Sequence, residues 1–115
     1  MTNDEILSEE IINQKLSELP NWKISDGWLT KTYKTPGFSH TLMLVNTIGY
    51  LAEAAWHHPD LEVGYAKVKV KLKTHKVQGI TANDTELAKK IEEVVSWYPD
   101  EKDALEGFPK KWITS

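Results

Sequence analysis

A chain of 115 residues, 40% hydrophobic and 27% charged, has the size of one domain and the composition of a folded globule rather than a disordered chain. It contains no cysteine, which removes disulfides, thiolate nucleophiles and zinc–cysteine sites. All fourteen basic side chains are lysine and the formal charge is −3, so the planar arginine fork that reads bases and clamps phosphates is missing and no nucleic-acid partner is expected.

The opening MTNDEILSEE is acidic, without the basic and apolar regions of a secretory signal, and no apolar run reaches the ~18 residues of a spanning helix. The expected location is cytoplasmic, away from membranes. SEEIINQKLSEL reads as the first helix. Ser8 is placed to cap it, Glu9 and Glu10 favour its dipole, and Ile12, Leu16 and Leu19 form one apolar stripe before Pro20. WKISDGWLTKTYKT then reads as two short strands around Asp26-Gly27, a type I′ hairpin signal.

A second helix is expected from Ser39 as its cap, with Phe38 outside it as half of a hydrophobic staple. Leu42, Val45, Gly49, Ala52 and Trp56 recur at steps of three and four. Pro59 biases His58 away from helical dihedrals, so this helix should finish near Trp56 or His57. PDLEVG connects it to YAKVKVKLKTH, where Ala66, Val68, Val70 and Leu72 alternate with lysines as in a sheet with one buried side. THKVQGI is expected to continue as, or turn into, a last strand. Thr81 and Asp84 fit a capping box for a third helix, whose stripe is Leu87, Ala88, Ile91, Val94 and Val95 and which Pro99 stops. The tail, DEKDALEGFPKKWITS, is weakly patterned. The order α-β-β-α-β-β-α suggests an α+β fold, an antiparallel sheet covered by helices on one face.

Four histidines are present. His40 stands alone near a helix start and reads as an exposed bystander. His57 and His58 leave the second helix, and His75 ends the lysine strand, so chain topology should gather these three. Imidazoles titrating near neutrality can donate one proton and accept another without a metal. Glu53, His57, His58, Pro59, Tyr65, His75 and Asp84 form E-x3-H-H-P-x5-Y-x9-H-x8-D, seven positions within residues 53–84. This pattern resembles the signature of the pterin-4a-carbinolamine dehydratases, also called 4a-hydroxytetrahydrobiopterin dehydratases. The resemblance spans roughly residues 7–97 and leaves an extension from about residue 98 to 115 of one domain. Two positions depart from several members of the family: Trp56 stands where they carry Asp, and Asn83 where they carry Arg.

The resemblance implies a four-stranded antiparallel sheet with three helices packed on one face, in homodimers or homotetramers. It implies a hydro-lyase that converts a 4a-hydroxytetrahydropterin to quinonoid dihydropterin and water, with no metal and no organic cofactor. His57 and His75 correspond to acid–base residues and His58 to a binding residue. Glu53 lies one helical turn before His57, close enough to hydrogen-bond an imidazole. Pro59 turns the chain after the histidine pair. Asp84 reads first as a helix-capping residue, and Trp22 either walls the flat pterin or fills the core. Tyr65 reads as structural.

Two other readings stand beside this one. Three histidines with Glu53 can be drawn as a catalytic zinc site, although adjacent imidazoles seldom reach one ion together. A non-catalytic dimerisation or assembly partner built on the same fold would keep the scaffold but has no need of the full histidine set. The lysine face reads as solvated sheet surface or as an edge guarded by charge.

Overall fold

The computed structural model describes residues 4–108 and 111–114. Its elements run α1 (Glu9–Leu16), β1 (Lys23–Ser25), β2 (Trp28–Lys34), α2 (Phe38–Ala55), β3 (Asp60–Gly64), β4 (Lys67–Leu72) and α3 (Ala82–Val95). The four strands form one antiparallel sheet in the order β1-β2-β4-β3. This is the expected α+β fold, and β4 lies inside the sheet. The lysines of β4 therefore do not guard an edge.

Local chemistry explains most element boundaries. Ser8 accepts a hydrogen bond from the Ile11 amide at the start of α1 (3.2 Å). Asp26 and Gly27, with φ of 51° and 81°, make the β1–β2 turn as the Asp-Gly pair requires. The helix α2 begins two residues earlier than a cap at Ser39 would give. Gly37 occupies the cap position with extended backbone and no side-chain cap bond, and Phe38 is already helical. At its other end α2 stops at Ala55, where Trp56 turns into the left-handed region (φ 53°, ψ 46°).

The second strand pair differs from the sequence reading. DLEVG is β3, not a connection, and THKVQGI is not a strand. Val77 and Gln78 amides donate to the Thr74 and His75 carbonyls, Gln78 has φ of 54°, and only a single bridge joins Thr74 to Gly79. Pairing selects β3: Leu61 and Val63 lie opposite Val70 and Val68, while Asp60 and Glu62 lie opposite Lys71 and Lys69. Opposite charges facing one another across strands favour that register.

Alternation along β2 and β4 divides the sheet into two faces. Leu29, Tyr33, Val68, Val70 and Leu72 are buried with Leu44 and Ile48 of α2 and Leu87, Ala88, Ile91 and Val95 of α3, and Ile12 and Leu16 of α1 pack against this core. Lys31 shares the inner face yet is almost fully buried. Its ammonium donates to Glu92 of α3 and to the Pro20 carbonyl (2.9 Å). Tyr33 Oη (2.7 Å) and Trp22 Nε1 (3.1 Å) donate to the same Glu92 oxygen. Burial pushes the Tyr33 phenol well above its ordinary range, helped by the neighbouring carboxylate. For Glu92, burial works to raise the carboxyl, but the hydrogen bonds from Lys31, Tyr33 and Trp22 and the lysine charge outweigh it and hold it below the usual carboxylate range.

Beyond α3 the chain returns over the core. Lys34 and Thr114 exchange backbone hydrogen bonds (2.7 and 3.0 Å), and Trp112 and Ile113 rest partly buried against the hydrophobic cluster. His40 is accordingly half-buried rather than exposed, its ring 4.6 Å from Trp112 and 6.0 Å from Phe108. A cavity of about 480 Å³ lies here, between the end of α3 and this segment, lined in part by Trp97, Tyr98, Leu105 and Phe108. None of the signature histidines borders it.

Candidate active site

Three chain segments meet around one carboxylate. Thr81 caps α3 and Asp84 completes the reciprocal box, accepting from the Thr81 amide through Oδ2 (2.9 Å). That assignment explains the position of Asp84 but not its other contacts. Asp84 is fully buried, and its Oδ1 lies 2.7 Å from His57 Nε2. Its Oδ2 also accepts from the Thr74 hydroxyl (2.8 Å), and Thr74 Oγ1 is 2.7 Å from Thr81 Oγ1. Thr74 immediately precedes His75. One carboxylate thus ties together the exit of α2, the segment after β4 and the start of α3.

The left-handed turn at Trp56 is what delivers His57 there. The His57 amide donates to the Ala52 carbonyl (3.1 Å), and its imidazole, only 16% exposed, points to Asp84. Leaving the helix at Ala55 also cancels the i, i+4 spacing that would have joined Glu53 to His57. Glu53 instead meets His58, with Oε1 2.8 Å from Nε2. This second pair is open to solvent, the side chains being 47% and 70% exposed for His58 and Glu53. Trp56 stands edge-on to His58 with ring centroids 5.0 Å apart. Pro59 is half-buried and precedes β3, so the chain leaves the histidine pair extended.

His75 is exposed, and its ring meets the edge of Trp28 at 5.5 Å. Trp28 also carries Lys71 and Lys73 ammonium groups over its face at 4.6 and 4.5 Å. Sequence reasoning did not single out Trp28. The signal was the pairing register: β2 and β4 align Leu29 with Leu72, which brings the residues just beyond, Trp28 and Lys73, side by side. Trp22, one of the two tryptophans near the hairpin, is drawn into the core, 5% exposed, edge-on to Tyr33 and bonded to Glu92. Tyr65 stacks on Phe38 at 6.3 Å. Among the described residues no three histidine, aspartate or glutamate side chains gather in the geometry of a metal site, and no helix is long and apolar enough to cross a membrane.

A buried carboxylate is thus bonded to one imidazole, and the hydroxyl that donates to the same carboxylate belongs to the residue before a second histidine. A comparison of the sequence with known families matches residues 5–94 to the pterin 4 alpha carbinolamine dehydratase family. The chain belongs to that family. All seven signature positions fall inside the match, and the returning C-terminal segment falls outside it. A candidate pterin-4-alpha-carbinolamine dehydratase of Aquifex aeolicus is 48% identical over 89 residues, covering 77% of this chain and 90% of that protein. A protein of the same description from Trichodesmium erythraeum is 40% identical over 87 residues, covering 76% of this chain and 94% of its own length. Among solved structures, a transcriptional coactivator/pterin dehydratase from Brucella melitensis superposes with a TM-score of 0.74 at 29% identity, covering 78% of this chain and 98% of that one. A pterin dehydratase-like protein identified as a RuBisCO assembly factor shares the fold at a TM-score of 0.56 and 15% identity, covering 66% of this chain and 90% of that one. Family membership supports a lyase function of the dehydratase type in general terms.

Proposed function

We propose that the protein is a hydro-lyase that dehydrates a 4a-hydroxytetrahydropterin to quinonoid dihydropterin and water by histidine acid–base catalysis, in the cytoplasm, as a homodimer or homotetramer. The observation that carries the reading is the bond from His57 to the buried Asp84, which also holds Thr74, the residue before His75. In this reaction the bond from C4a to the hydroxyl oxygen breaks while the adjacent ring nitrogen pushes electrons toward C4a. The departing oxygen needs a proton, and a ring N–H must lose one. His57 and His75 are the acid–base residues, one protonated and one neutral at the start of each turnover. His58, open to solvent and paired with Glu53, binds and orients the pterin.

The test is the rate of quinonoid dihydropterin formation, followed by absorbance, against spontaneous loss of water from the same substrate. Acceleration proportional to protein concentration is expected. A folded protein that accelerates no 4a-hydroxytetrahydropterin would overturn the reading and leave the non-catalytic dimerisation or assembly partner in its place.

A further inference from the structure

The bonds around Asp84 fix where each hydroxyl proton goes. A threonine hydroxyl has one proton. Thr74 donates its proton to Asp84 Oδ2, so in the 2.7 Å contact between Thr74 and Thr81 the donor is Thr81. The Thr81 oxygen is left to accept from the Asn83 amide at 3.2 Å. The order is therefore Thr81 hydroxyl to Thr74 hydroxyl to Asp84. Together with the Thr81 amide, two donors converge on Oδ2 at the start of α3, which leaves Oδ1 to His57. A carboxylate only accepts. The 2.7 Å contact at Oδ1 is then a bond that His57 donates from Nε2.

We propose that Thr74 is a positioning residue: through Asp84 its hydroxyl holds His57 as the Nε2–H tautomer and presents Nδ1 as the atom that exchanges a proton with substrate. The proposal deepens the hydro-lyase reading and rests on it for the identity of the reaction. The tautomer itself does not depend on that reading. Without the Thr74 hydroxyl, the Thr81 hydroxyl loses its acceptor and Asp84 loses one of the two donors on Oδ2. The carboxylate can then rotate or retreat from His57, and the imidazole is free to place its proton on either nitrogen. Buried polar groups left in this state are costly, so the network is held together as a unit.

Two measurements test this on the full-length protein. Nitrogen-15 correlation spectra of the histidine rings, read where His57 is neutral, should show the proton of His57 on Nε2. Thr74→Val, which matches the shape of threonine but lacks the hydroxyl, should lower kcat by roughly tenfold or more, as loss of an orienting partner typically does, with little change in KM. It should also mix the His57 tautomers. Thr74→Ser keeps the donor and should restore both the rate and the single tautomer. A wild-type His57 protonated on Nδ1 overturns the proposal even if Thr74→Val fails to fold. Equal kcat for Thr74→Val and Thr74→Ser overturns it as well. A protein without dehydratase activity but with the Nε2–H tautomer in place would reject the reaction while leaving the tautomer assignment standing.

Discussion

Replacing Glu92 by alanine should be the most destabilising single change outside the apolar core. Glu92 Oε1 receives Lys31, Tyr33 and Trp22, and the Lys31 and Glu92 side chains are 3% and 13% exposed. The Glu92→Ala variant leaves a buried ammonium with only the Pro20 carbonyl as acceptor, and leaves the phenol and indole donors without theirs. Removing one partner of a buried ion pair costs about 3–5 kcal/mol. The slight exposure of Glu92 admits some water, which places the expected loss near the lower end, about 3 kcal/mol. With an unfolding entropy of about 2.1 cal/mol/K per residue, a chain of this length should lose roughly 12 °C in Tm. The sign of the pH dependence follows from the lowered carboxyl. Its contribution is fully present above the carboxylate range of the unfolded chain and is lost as pH falls through the folded value. The gap between wild type and Glu92→Gln should therefore close in acid. Urea unfolding by tryptophan fluorescence, repeated across pH, measures both quantities. A Glu92→Ala loss below about 1 kcal/mol at neutral pH would refute the reasoning, because the three donors would then have found equal partners in water.

Alanine at His57 or His75 should lower kcat by about 10² to 10⁴-fold, as for a lost general acid or base, and the double variant should lose more than either; an undiminished kcat in a folded double variant would remove the assignment. His58→Ala should raise KM and spare kcat, and His40→Ala should leave both unchanged in the same assay. Sedimentation at micromolar concentration should show a dimer or tetramer, since β1 and β3 are the edge strands of the sheet among the described residues; a strict monomer would contradict this. Trp56→Gly should raise stability by about 0.5–1 kcal/mol by removing a bulky side chain from left-handed backbone, unless the indole's contact with His58 outweighs that relief, which a lowered Tm would reveal.

The elements readable in the sequence are those specified by short-range chemistry. Asp26-Gly27 set the hairpin, Ser8 and the Thr81–Asp84 box set two helix starts, and strict alternation set β4. What escaped is what the pairing partner decides rather than the segment itself. DLEVG alternates as well as a strand does, but it is a strand because β4 offers valines and lysines in matching register. THKVQGI has suitable residues but pairs with none of the four strands, and its end folds back on Thr74 instead. At the site, Glu53 and Asp84 stand in the signature with the histidines, but which carboxylate meets which imidazole does not follow from spacing. Nearest-neighbour reasoning joins Glu53 to His57, yet a left-handed residue between them hands Glu53 to His58 and brings Asp84 to His57 from 27 positions away.

The double duty of Asp84 bears on how related sequences diverge. Its carboxylate closes the first turn of α3 and also holds His57. Selection for a folded chain alone is enough to retain it, so a descendant that abandoned the chemistry would keep the aspartate for the sake of the helix. His57 lies outside the capping box, and its ring is held only through the buried Oδ1 of Asp84. In a lineage that lost the proposed chemistry, Asp84 should be retained longer than His57. The aspartate in a related sequence is then evidence that α3 begins where it does here, and is not by itself evidence of the proposed chemistry.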